Sequence, residues 1–122
     1  MRLGSFEDPE SKVINQCYIL SPKNNTLQGK ITIPAFYEDI PIGIVEGFKG
    51  NTKITHVFVA GNNLKEIGYE AFMKCSNLEY LDFPNSLRKI ENNAVRETKL
   101  KPINGIYYFG NNLYSIGTYA FN

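Results

Sequence analysis

Residues able to carry chemistry are scarce in this chain. Among its 122 residues there is one histidine, His56, and there are two cysteines, Cys17 and Cys75. A zinc site takes three or four ligands of these kinds, and nucleophilic catalysis needs a base within hydrogen-bond reach of a serine or cysteine. A histidine expected on the outward side of a strand and two cysteines expected to point inward supply neither. No catalytic constellation assembles, and no cofactor or metal is expected. The acidic pair Glu38-Asp39 reads as a solvated turn, not as a general acid and base.

Other absences narrow the field further. No apolar run approaches the ~18 residues that suggest a membrane span. The opening MRLGSFEDPESK lacks the apolar stretch of a signal peptide, and residues 1–10 read as a leader or tag-like segment. Net charge is only +1, from 13 basic and 12 acidic residues, without the strong basic bias of a dedicated nucleic-acid binder. The densest basic stretch, Arg88, Lys89, Arg96, Lys99 and Lys101, is interleaved with Glu91 and Glu97 and reads as a solvated face. Two isolated cysteines fix no redox compartment. They fall in different layers of the pattern below, so Cys75 is expected as a buried free thiol.

What the chain does have is self-similarity. Residues 57–72 read VFVAGNNLKEIGYEAF and residues 106–121 read IYYFGNNLYSIGTYAF. Between them, residues 81–95 read LDFPNSLRKIENNAV, and residues 31–48, ITIPAFYEDIPIGIVEGF, give a looser copy. A period of about 22 to 26 residues marks a solenoid, in which each unit buries its apolar face against its neighbours. With 43% hydrophobic and 20% charged residues, the chain has enough apolar content for one folded domain.

In the clearest copy, residues 54–59 alternate as a half-buried strand, with Val57 and Val59 on one side and His56 and Phe58 on the other. Gly61-Asn62-Asn63 forms a turn, Leu64 and Ile67 follow, and one helical turn over Tyr69–Met73 is expected to bring Ala71 and Phe72 inward. Matching positions form columns: Phe48, Phe72, Val95 and Phe121; Ile44, Ile67, Ile90 and Ile116; Ile42, Leu64, Leu87 and Leu113. Strand interiors add Ile31 with Ile33, Leu81 with Phe83, and Ile106 with Tyr108. The repeats run at about 30–53, 54–77, 78–99 and 100–122. Residues 11–29 read as a capping β-hairpin that turns at Pro22–Asn25. The last residues, Phe121-Asn122, fall in mid-repeat, so either the chain continues or its open end is expected to stack on another chain.

These residues resemble the BspA-like class of leucine-rich repeats. The resemblance lies in Leu/Ile-x-Ile-Pro followed by Leu-x-x-Ile-Gly-x-x-Ala-Phe-x-x-Cys, which is clearest at 64–75, LKEIGYEAFMKC, and spans residues 30–122. Glu91 replaces the glycine and Val95 the phenylalanine in the third copy, and Gly47 stands for alanine in a shortened first copy. The resemblance implies a leucine-rich-repeat solenoid of mostly β structure with short helical turns, and a ligand-binding scaffold with no catalytic residue. Such proteins are largely bacterial surface or secreted proteins, several of them adhesins.

Parallel strands in successive layers stack about 4.8 Å apart, so outward residues form ladders. One ladder is expected through Lys30, His56, Tyr80 and Gly105, the next through Thr32, Phe58, Asp82 and Tyr107. The candidate ligand-binding face is therefore His56, Phe58, Tyr80, Asp82 and Tyr107, an aromatic patch suited to anchoring a protein, peptide or glycan. The alternative function is a structural spacer that forms a homodimer through its C-terminal end.

Overall fold

The computed structural model describes residues 2–7 and 14–122. Ten strands wind through two sheets: β1 (Arg2–Glu7), β2 (Ile14–Leu20), β3 (Gly29–Ile33), β4 (Phe36–Tyr37), β5 (Ile40–Val45), β6 (Ile54–Val59), β7 (Glu66–Ile67), β8 (Tyr80–Leu81), β9 (Lys89–Ile90) and β10 (Ser115–Ile116). One sheet runs β1-β2-β5-β7-β9-β10, with β4 paired to β5; the other runs β3-β6-β8. Apart from the β1–β2 and β4–β5 pairs, the strands are parallel. This is the arrangement expected of a chain that repeats the same coil.

The short repeats make short strands, so register matters more than strand length. Ile67 pairs with Ile90, and Ile90 with Ile116. The column continues to Val45, because Val45 pairs with Ile67 while Ile44 sits against Glu66. The expected place of Ile44 in this column is therefore off by one. Both residues are buried, and either could have filled the column by hydrophobicity alone. Ile42, Leu64 and Leu87 are buried in the neighbouring column, as are Phe48, Phe72 and Val95 in theirs. Phe48 and Phe72 stack with ring centroids 5.2 Å apart and planes 11° from parallel.

A third ladder replaces the expected helical turn. The N–H groups of Glu70, Phe72 and Lys74 donate to the carbonyls of Asn92, Ala94 and Arg96 in the next coil, at 2.7–3.1 Å. Asn93, Val95 and Glu97 donate onward to Thr118, Ala120 and Asn122. The intervening amides close tight turns instead: Ala71 N–H to Gly68 O and Cys75 N–H to Phe72 O, both 3.1 Å. Glu70 and Lys74 have φ of 52° and 62°, the left-handed region that interrupts a right-handed helix. Amides that would bond within a helix are thus committed between coils, and no helix is present among the described residues.

Three further expectations change. The hairpin expected across Pro22–Asn25 does not form: β2 pairs with β1 and β5, whereas β3 joins the other sheet beside β6. The segment read as a leader supplies β1, in register from Arg2 opposite Ile19 to Glu7 opposite Ile14. Residues 8–13, including the start of the expected capping segment, lie outside the described residues. In the fourth coil Ile106 and Tyr108, expected inward, are 53% and 63% exposed.

The cause of that reversal is a two-residue turn. Ile103 and Ile106 exchange main-chain hydrogen bonds of 3.0 and 2.9 Å around Asn104 and Gly105, whose φ values are 50° and 80°. Both central residues at positive φ is the pattern of the Asn-Gly hairpin turn. The turn diverts the chain, so Tyr107 and Phe109 now pack with Phe83 and Phe121. Cys17 and Cys75 are both buried free thiols. The Cys75 thiol lies 3.1 Å from the Phe48 carbonyl, and burial pushes its pKa up to about 11.

Candidate functional site

The outer face of the β3-β6-β8 sheet is set by strand alternation. Val57 faces the core with no exposure, which puts His56 and Phe58 on the opposite side. Parallel register places Lys30 beside His56 and His56 beside Tyr80, with Thr32 beside Phe58. The first expected ladder therefore runs over three coils; the second is paired between Thr32 and Phe58, and the Asp82 N–H donates to the Val57 carbonyl of the coil below at 3.0 Å. The His56 ring lies 6.2 Å from Phe58 and 6.3 Å from Tyr80, and Phe58 lies 5.6 Å from Tyr80. Phe58 and Tyr80 are 37% and 39% exposed, so solvent meets the edges of a contiguous aromatic shelf.

Polar contacts hold this shelf in place. His56 Nδ1 is 2.9 Å from the Thr55 hydroxyl. The Tyr80 hydroxyl donates to Asp82 Oδ1, and the Val59 N–H donates to Asp82 Oδ2 at 2.8 Å. The hydrogen bond to Asp82, aided by partial burial, raises the Tyr80 pKa, so the phenol stays a neutral donor. Of the five residues expected at the site, the structure brings four together: His56, Phe58, Tyr80 and Asp82.

Tyr107 does not join them. The Asn104-Gly105 turn carries it into the ring cluster, 4.9 Å from Phe121 and 5.8 Å from Phe109, with its hydroxyl 3.4 Å from the Leu100 carbonyl. The place beside Asp82 that it was expected to fill is a cleft. That cleft, about 190 Å³, lies between residues 79–83 and residues 100–108. Sequence reasoning missed Glu79 and Lys101 in its walls. The Asn-Gly dipeptide was the available signal, because it marks a tight reversal where a continuous fourth strand had been expected.

His56 meets a threonine hydroxyl, and Cys75 lies in the core against Phe48. Among the described residues no group of three or more His, Cys, Asp or Glu side chains could hold a metal. No helix among them is long and apolar enough to cross a membrane.

Short parallel coils in register, sharing one apolar interior and showing a rigid strand-lined face, define a leucine-rich-repeat solenoid. The model of the BspA type leucine rich repeat region matches residues 25–122 in six copies, and the chain belongs to that family. The fold is also similar to the crystal structure of the T. pallidum leucine rich repeat protein TpLRR. The TM-score is 0.65 at 19% identity, covering 94% of this chain and 50% of that one. The likeness is one of fold alone, and this chain spans about half the length of TpLRR. No curated protein matches the chain.

Proposed function

We propose that this chain is a non-catalytic protein-binding module, of the adhesion or host-interaction kind, working at a cell surface or in secreted form. The observation that carries the reading is the shelf of His56, Phe58 and Tyr80 on a sheet fixed by its neighbours. Exposed aromatic residues on a rigid support lose little entropy on binding and are the usual energetic centres of protein interfaces. Membership of a family whose fold is typically non-enzymatic supports the absence of catalysis. Three short strands offer less than the ~800 Å² per partner of a standard interface. Binding by this piece alone is therefore weak, and multivalent display strengthens it.

The test is surface binding to immobilised fibronectin, laminin and collagen, comparing the parent with a Phe58→Ser, Tyr80→Ser double variant of unchanged circular dichroism. Binding to at least one of them, reduced tenfold or more in the variant, supports the reading. Equal binding by the two proteins places the contact elsewhere.

One observation favours a second reading, self-association. Ile116 is 51% exposed, whereas its column partners Ile67 and Ile90 are fully buried. Tyr114 and Tyr119 beside it are 49% and 57% exposed. Two such faces would cover one another in a dimer. A mass by light scattering that doubles with concentration, and returns to monomer in Ile116→Lys, supports this; a concentration-independent monomer rejects it.

A further inference from the structure

The two sheets end at different heights. The larger sheet continues to the fourth coil through β10, but the smaller stops at β8, which pairs with β6 alone. Lys99 N–H still donates to the Leu78 carbonyl at 3.0 Å, so the fourth coil begins in step with the third. It then leaves through the Ile103–Ile106 turn. Where its strand would have run beside Tyr80–Leu81 there is a cleft of about 190 Å³, floored by the edge of the sheet.

An edge strand presents main-chain donors and acceptors to whatever lies beside it. Extended peptides add to such edges by main-chain hydrogen bonds, while pockets for alternate side chains supply selectivity. The volume suits one large side chain, and the lining states which kind. Tyr80, Tyr107 and Tyr108 line the cleft together with apolar Leu81, Leu100 and Ile106, a lining that suits the methylene stem of a long side chain. Glu79 and Asp82 provide two carboxylates, against the single cation Lys101. Asp82 already accepts from Tyr80 and Val59, but each carboxylate oxygen retains a further acceptor site. Tyrosine rings beside carboxylates favour a cationic side chain over an anionic one.

The geometry points to an extended peptide segment of a partner protein that pairs with the free edge of β8 and lodges a lysine or arginine side chain in this cleft. This rests on the protein-binding reading above and specifies its ligand chemistry. The binding position is the one the fourth strand of a regular solenoid would have filled.

The test uses three blocked pentapeptides, acetyl-Thr-Val-Arg-Val-Thr-amide, its Arg→Glu analogue, and the arginine peptide with both valine nitrogens methylated. Each is titrated to millimolar concentration into the full chain labelled with ¹⁵N. With the arginine peptide, amide shifts confined to 79–83 and 100–108 are expected. The glutamate and N-methylated peptides should bind at least tenfold more weakly. Glu79→Lys should weaken the arginine peptide fivefold or more and improve the glutamate peptide. Cleft shifts with the arginine peptide in a chain that binds none of the matrix proteins support the cleft and reject the shelf, and matrix binding without cleft shifts does the reverse, so failure of the shelf and failure of the cleft are told apart. No cleft shifts with the arginine peptide, or equal affinity for all three, overturns the proposal.

Discussion

The Asp82 carboxylate bridges two coils: one oxygen accepts from the Val59 N–H of the coil below at 2.8 Å, and the other accepts from the Tyr80 hydroxyl. A single side chain thereby satisfies the end of β6 and orients a ring of the aromatic shelf. Asp82→Ala strips both donors of their acceptor. Leaving a partly buried N–H unsatisfied costs about 1–3 kcal/mol, measurable as a lowered midpoint in urea. Asp82→Asn keeps a carbonyl for one donor and should lose less. Because Asp82 raises the Tyr80 pKa, either variant should show one tyrosine ionising at lower pH in an alkaline absorbance titration. An unchanged tyrosine titration would show that the bridge does not hold in solution.

The stacked pair Phe48 and Phe72 occupies the middle of the shared interior, and both rings are buried. Truncation of a buried phenylalanine typically costs about 3–5 kcal/mol, through lost transfer energy and the cavity left behind. Phe72→Ala should fall in that range. Phe121→Ala, in the same column but half-buried at the last coil, should cost clearly less. Equal losses at the two positions would contradict a stack whose interior is drier than its end.

The sequence made the middle coils legible and the ends obscure, for physical reasons. Leu64 with Leu87 and Ile67 with Ile90 recur at one spacing, with polar residues around them, so only one register buries both columns. At Ile44-Val45 two apolar residues are adjacent and both buried, and hydrophobicity cannot choose between them. The strand β1 belongs to no repeat, so periodicity carries no information about it. His56, Phe58 and Tyr80 were readable as one patch because strand alternation and parallel stacking follow from the repeat itself. Tyr107 was not, because one Asn-Gly turn outweighs a match of sixteen residues to the second repeat.

That turn provides a paired test of backbone strain. Gly105 and Gly110 have nearly the same φ, 80° and 78°. A Cβ at Gly105 meets nothing within 4 Å, whereas at Gly110 it would collide with Asn85 Oδ1 and lie 2.9 Å from Asn85 Cα. Gly105→Ala should therefore cost only the torsional ~1–2 kcal/mol of a left-handed alanine. Gly110→Ala adds a collision with main chain of the preceding coil and should cost more. Chemical denaturation of the two variants side by side measures the difference, and equal costs would mean that the coils are not packed this closely.

Glu66 gives the fold a pH dependence of definite sign. Its carboxyl pKa is raised, chiefly by burial and then by the charge of Glu91, with Glu46 adding to the effect and Lys89 opposing it. Lys89 Nζ stands 3.8 Å from Glu66 but 2.8 Å from Glu91, so its closer partner is the other carboxylate. A carboxyl whose pKa is higher folded than unfolded keeps a proton that the unfolded chain has already released. Its contribution to stability therefore falls as pH rises from the ordinary glutamate range through the raised value, and is constant above it. Glu66→Gln removes this loss and leaves Lys89 its nearer partner. The variant should gain in urea midpoint relative to the parent between pH 4 and pH 7.5, with the gain complete once Glu66 is ionised in the folded parent. A difference between the two proteins that stays constant over this interval, or that moves against the variant as pH rises, would show that Glu66 is not held in the uncharged form by its surroundings.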